Sequence, residues 1–107
     1  MLIRDLKPSE YNSLIDIWKR SSLPFKPNGR DAEHNIIKQI QTENICFFVA
    51  EINDTLVGAV IASHNGRKGW INRLAVLPEF REKGIAAALL KRSENYFLSN
   101  NINIFAC

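Results

Sequence analysis

WINRLAVLPEFREKGIAAALL, residues Trp70 to Leu90, decides how the rest of this chain is read. Trp70 to Leu77 is a short apolar strand, Pro78 opens a loop, and Arg81-Glu82-Lys83-Gly84-Ile85-Ala86 is a turn that starts a helix. A helix start leaves backbone N–H groups without intrahelical partners and carries the positive end of the helix macrodipole. Such an end seats a phosphate or a diphosphate. Gly84 lets the backbone approach that group with no side chain between, and Ala86 keeps the first turn small. Arg81 and Lys83 add charge of the matching sign. Glu82 contributes only through its amide, since its carboxylate repels an anion. The amides from Arg81 to Ala87, Ile85 and Ala86 among them, are therefore expected to grip a diphosphate. The backbone of Leu74, Ala75 and Val76 is expected to bind the rest of an elongated molecule.

Outward from this stretch, the chain alternates strands and helices. Leu2 to Leu6 is a first strand, and Pro8 to about Ser21 is an amphipathic helix, with Ser9 as its cap and Tyr11, Leu14, Ile15 and Trp18 on one face. Ser22 to Arg30, with Pro24, Pro27 and Gly29, is a loop. A second helix runs from about Asp31 to Gln41. Cys46 to Ile52 and Thr55 to Ser63 make a hairpin about Asn53-Asp54. Asn65-Gly66 and Gly69 bound the turn into the Trp70 strand. A helix from Gly84 to Leu98 and a last strand, Ile102 to Ala106, complete the order.

The run Leu74-Ala75-Val76-Leu77-Pro78, three residues on from which comes Arg81-Glu82-Lys83-Gly84-Ile85-Ala86, resembles the acetyl-coenzyme A signature of the GNAT superfamily of N-acetyltransferases. That loop is written Arg/Gln-x-x-Gly-x-Gly/Ala; Arg81 stands first, Gly84 is the glycine and Ala86 the final small residue. The six-residue pattern alone is weak, and the strand, proline and helix around it give it weight. The resemblance implies an α/β (α+β) fold with a mixed central sheet in the order β-α-α-β-β-β-α-β. It implies one acetyl-coenzyme A-binding domain over residues 1–107, lacking the helix and two strands with which family members usually continue. It further implies acetyl-coenzyme A as co-substrate, an amine acceptor as partner, and acetyl transfer by direct attack in a ternary complex. The cofactor residues it marks are Leu74, Ala75, Val76, Arg81, Glu82, Lys83, Gly84, Ile85, Ala86 and Ala87.

Composition agrees with one globular domain: 107 residues, 46% hydrophobic and 23% charged. A net charge of +3 suits an anionic co-substrate and is too small to argue for nucleic acid. No secretory signal is evident, and no apolar run approaches the roughly 18 residues of a membrane span. Cys46 and Cys107 have neither metal-ligand nor CxxC spacing, which fits free thiols in a reducing cytoplasm. An apolar last strand at a sheet edge invites pairing, so a homodimer is expected.

A general base is harder to find. Period-2 alternation puts Trp70, Asn72, Leu74 and Val76 on one face of their strand and Ile71, Arg73 and Ala75 on the other, with no carboxylate on either. Glu51 and His64, at strand ends, and Asn72 are the catalytic candidates, and Glu51 and His64 are more readily explained as surface residues at strand ends. His34, Phe25 with Lys26 and Arg30, and Asn72 with Arg73 are candidates to face the acceptor. The region beyond Cys107 in family members often supplies the tyrosine acid. The alternative is thus a weakly active or inactive acetyl-coenzyme A-binding module, or a truncated remnant of the enzyme.

Overall fold

A computed structural model describes residues 1–106; the Cys107 thiol lies outside the described residues. Ten elements follow one another, beginning with strand β1 (Leu2–Asp5), a short 3-10 turn (Pro8–Glu10), helix α1 (Tyr11–Arg20) and helix α2 (Glu33–Ile40). Strands β2 (Ile45–Ile52), β3 (Thr55–His64) and β4 (Lys68–Val76) come next. A second 3-10 turn (Pro78–Phe80), helix α3 (Ile85–Ser99) and strand β5 (Ile104–Ala106) complete the chain. One sheet holds the strands in sequence order, β1-β2-β3-β4-β5. All neighbours are antiparallel except β4 and β5, which are parallel through the α3 crossover. Helix α3 covers one face and α1 with α2 the other, and the core between them is built on Trp18, Phe48, Leu89 and Phe97, all buried.

The start of α1 departs from the expected Ser9 cap. Pro8–Glu10 winds as a 3-10 turn, and the Glu10 carboxylate reaches back to accept from the Lys7 amide at 2.8 Å. Arg4 then donates to both Glu10 oxygens, at 2.9 and 2.7 Å, and through Nε to Glu51 at 2.8 Å. Glu51, a candidate base in the sequence, is therefore an ion-pair partner that fastens β1 to β2.

Gly69 was expected in a turn and instead lies inside β4, opposite His64. The reason is contact: a Cβ there would stand 2.6 Å from the ring of Phe97 on α3. The last strand also starts later than Ile102. Asn101 adopts a left-handed conformation at φ 61°, and the Ile102 amide turns back to the Phe97 carbonyl at 2.8 Å. That bond ends α3 and buries Ile102.

The largest departure lies in the middle of β4. Its partners on β3 run Ile71 to Ala62 and Asn72 to Ile61, then Ala75 to Ala59 and Val76 to Gly58. Arg73 and Leu74 thus share the space opposite Val60, which is a β-bulge. Arg73 takes the left-handed conformation this requires, at φ 53°. One extra residue reverses the alternation beyond it. Gly69 faces Phe97, and Val76 pairs with Gly58, whose missing Cβ points at Ile85 and Leu89. Residues seven apart thus share the α3 face, which an uninterrupted strand forbids. The expected set Trp70, Asn72, Leu74 and Val76 is accordingly split: Asn72 lies on the α1–α2 face and Val76 on the other.

The side chain of Arg73 fixes the bulge. Its guanidinium lies 4.4 Å from the Trp18 ring centroid and donates to Asp31 Oδ1 at 2.8 Å and Oδ2 at 3.1 Å. The Lys26 amide donates to the same Oδ2 at 2.7 Å. Burial pushes the Asp31 carboxyl up, but the Arg73 and Lys26 hydrogen bonds outweigh it and hold it below the ordinary carboxylate range. Glu10 is lowered in the same direction, chiefly by its Arg4 hydrogen bond.

Two outcomes test this architecture. Gly69→Val should cost about 1 to 3 kcal/mol through overpacking against Phe97, read as a fall of about 4 to 8 °C in Tm per kcal/mol; an unchanged melt would refute the contact. The lowered carboxyls are ionised in both states at neutral pH, where their full stabilisation is present. It is lost as pH falls below about 4, toward and through the folded-state values. Denaturant titrations from pH 7 to 2 should show this loss. Asp31→Asn should be weaker by about 2 to 3 kcal/mol at pH 7, somewhat below the cost of breaking a fully buried pair, and less sensitive to acid.

Candidate active site

Beyond the bulge, β4 has a neighbour on only one side among the described residues. Strand β5 (Ile104–Ala106) pairs with Lys68, Gly69 and Trp70. Among the described residues, the outer edge of β4 from Ile71 onward meets no strand. Helix α3 begins close beside that edge, because Gly58 lets it approach the sheet: a Cβ there would sit 3.2 Å from Ile85, Leu89 and the Ala75 carbonyl. The space between the β4 edge and the start of α3 is a groove of about 410 Å³.

The floor and near wall of this groove are Leu74, Ala75 and Val76, and its head is the turn and first helical residues, Arg81, Glu82, Gly84, Ile85, Ala86 and Ala87. The structure therefore gathers the expected cofactor residues into one depression, except Lys83, which is exposed and does not line it. Three further residues line it that sequence reasoning missed. Phe80 comes from the second 3-10 turn, and Ser21 and Leu23 come from the end of α1. Their signal was weak, since α1 is distant in sequence. An ion pair between Arg20 and Glu79 ties the end of α1 to the loop after β4 and brings Ser21 alongside.

The turn is shaped to point amides inward. Glu82 and Gly84 both take left-handed conformations, at φ 63° and 80°, and successive amides in such a turn form a concave nest for anions. Of the seven amides expected to be free, that of Arg81 is engaged, donating to the Pro78 carbonyl at 3.3 Å. The first helical bond is from Ala88 to the Gly84 carbonyl. Among the described residues, the amides of 82 to 87 donate to no protein acceptor. The Arg81 side chain folds back, and its Nε donates to the Val76 carbonyl at 3.0 Å. That bond braces the end of β4 against the turn and leaves the rest of the guanidinium at the head of the groove.

The candidate bases are not brought here. Glu51 is held by Arg4, as described. His64 sits opposite Gly69, seven residues from Val76, roughly 23 Å along an extended strand. Its Nδ1 accepts from the Gly66 amide at 3.0 Å, and its ring lies against Tyr96. Asn72 lines a second cavity on the α1–α2 face, with Arg30, Asp31 and Arg73. His34 is exposed on α2, and Phe25 lies under the Lys19 ammonium at 5.9 Å; neither lines a cavity described here. Among the described residues no cluster of three His, Cys, Asp or Glu is placed to hold a metal ion, and no helix is long and apolar enough to cross a membrane.

Comparison with known proteins supports the geometry. Residues 11–107 match the model of the acetyltransferase (GNAT) family. The chain is 33% identical over 99 residues to acetyltransferase ECA0875 of Pectobacterium atrosepticum, covering 92% of this chain and 69% of that protein. Among solved structures, it is similar in fold to the PaiA N-acetyltransferase of Thermoplasma acidophilum in complex with coenzyme A. The TM-score is 0.81 at 20% identity, over 94% of this chain and 74% of that one. It is equally similar to AAC(6')-Iy in complex with a bisubstrate analogue, CoA-S-monomethyl-acetylneamine, at TM-score 0.81 and 19% identity over 98% and 76%. A sheet that opens beside a helix start with six free amides, together with a family match over most of its length, means that this chain belongs to the GNAT family of acetyltransferases.

Proposed function

We propose that the groove holds acetyl-coenzyme A and that the chain transfers the acetyl group to a primary amine by direct attack in a ternary complex. The observation that carries this is the joining of six free amides, 82 to 87, to an unpaired strand edge in one groove. The amides and the helix dipole suit the diphosphate. The edge of Leu74, Ala75 and Val76 suits the amide-bearing pantetheine arm, and Leu23, Phe80 and Ile85 supply apolar contact along the way.

In the transfer, the amine nitrogen forms a bond to the thioester carbonyl carbon, the carbon–sulfur bond breaks, and the thiolate leaves with the electron pair. A backbone N–H on the Leu74–Val76 edge stabilises negative charge as it develops on the carbonyl oxygen. The amine nitrogen gives up a proton. No side chain is assigned as its acceptor: Glu51 and His64 are elsewhere, and Asp31 is a poor base because Arg73 holds its carboxyl low. Proton loss to water is the route this leaves. The same lack of an assigned base and acid favours a second reading, a module that binds the co-substrate and turns over slowly.

We further propose that residues 1–107 act as one domain in the cytoplasm, without a nucleic-acid partner, and associate as a homodimer. Ile104 on β5 and Leu2 on β1 are exposed at 66% and 53%, and both lie on edge strands. Light scattering after size exclusion at tens of micromolar should give twice the 12.2 kDa chain mass; a sharp monomer would count against the pairing.

The groove is tested at Gly84. A Cβ there meets nothing within 4 Å, so substitution acts on what stands before the amides rather than on packing. Gly84→Asp should weaken acetyl-coenzyme A binding at least tenfold by calorimetry. Gly84→Asn, uncharged and tolerant of the left-handed conformation, should weaken it far less. Equal, unchanged affinities in both variants would remove the diphosphate from this position. Thiol release across an amine panel then separates enzyme from binder.

A further inference from the structure

The second cavity, about 390 Å³, opens on the α1–α2 face, and its β4 wall is Asn72 and Arg73. These two residues immediately precede Leu74 of the groove. A group held at Leu74 is thus within about 3 to 7 Å, one or two residues along the strand, of this cavity's wall. Its volume falls at the small end of the range for small-molecule sites. The remaining walls include Arg30 and Asp31 ahead of α2, Gln39 on α2 and Ser63 on β3.

Its charge is the informative feature. Asp31 is the one carboxylate on the lining, and both its oxygens are engaged, Oδ1 by Arg73 and Oδ2 by Arg73 and the Lys26 amide. Oδ1 accepts a single bond, but the Arg73 guanidinium already balances the carboxylate charge, so Asp31 offers an incoming ammonium group no net negative charge. Arg30 lies 3.7 Å from Asp31 Oδ2, too far for a hydrogen bond, and is 64% exposed. Two guanidinium groups against one carboxylate leave the lining with an excess positive charge. The carboxylates that would attract a polycation lie elsewhere: Glu10, Asp16 and Asp54 border a depression beside α1, where Arg20 also stands.

We infer that the acceptor is a small amine that also bears an acid group, of the amino carboxylate class. Its carboxylate pairs with Arg30 and its amino group is directed past Asn72 toward Leu74. The inference rests on the acetyl transfer proposed above. Arg30 offers a carboxylate paired N–H donors in a fork. A polyamine or an aminoglycoside meets like charge and no unpaired carboxylate, so rejection is built into the same wall.

The test uses the whole chain saturated with coenzyme A, titrated by calorimetry with L-glutamate, glycyl-aspartate, glycinamide as the amine without an acid group, spermidine and neamine. The acid-bearing amines should bind at least fivefold more tightly than glycinamide, with spermidine and neamine weakest. Arg30→Glu should reverse the order, weakening the acid-bearing amines at least tenfold and strengthening spermidine. Spermidine or neamine binding best to the wild type, no binding by either acid-bearing amine, or an order that Arg30→Glu leaves unchanged would each overturn the inference. Acetyl-coenzyme A affinity is measured in parallel. Its absence would sink the transfer reaction instead, and the amine preference is then scored on the coenzyme-free protein by the same criteria.

Discussion

The ion pair between Arg73 and Asp31 is the constraint on which the rest of the site depends. A residue other than glycine in the left-handed region carries a conformational cost of about 1 kcal/mol or more, and Arg73 sits there in the middle of a sheet. It stays because its guanidinium is held on three sides, by two carboxylate oxygens and by the face of Trp18, which is fully buried. The extra residue this accommodates changes which way every later residue of β4 points. Without it, Val76 would turn away from α3, and the strand would run on in regular alternation past the helix start.

From that one inserted residue the two halves of the molecule acquire different characters. On the α3 side, close approach at Gly58 sets a helix start with free amides beside an open strand edge, an environment suited to an anionic, elongated ligand. On the α1–α2 side, the same pair that fixes the bulge neutralises Asp31, the one carboxylate among the described residues lining the cavity there. The charge balance of that cavity is therefore a by-product of how the strand is bent. A single side chain, Arg73, shapes the backbone beside one cavity and the electrostatics of the other. The proximity of the two cavities follows directly, because both are walled by consecutive residues of one strand.

Glycine has two separate uses here, and they differ in how visible they are. Gly84 answers a backbone demand, a left-handed turn before a helix, and its neighbours Arg81 and Ala86 announce it. Gly58 and Gly69 answer packing demands from α3, whose side chains arrive from residues 85, 89 and 97. Nothing local to either glycine says so, which is why Gly69 reads as a turn residue in sequence and is found inside β4.

Sequence by itself determined the elements and the phosphate-type turn. Apolar periodicity, the proline after Val76 and the glycine before Ile85 are local signals, and they act on the backbone within a few residues. The order of elements, the hairpin and, apart from Lys83 and Phe80, the residues lining the groove from Leu74 to Ala87 follow from them. Tertiary structure decided what depends on partners far along the chain. Arg4 claims Glu51 from 47 positions away, Asp31 claims Arg73 from 42, and Arg20 brings Ser21 to the groove by pairing with Glu79. A carboxylate in a sequence does not reveal whether its oxygens are free, because a distant guanidinium that folding delivers to it can take them. The faces of β4 failed for the same reason: a bulge is held by contacts from another layer, and a strict period of two has no term for one.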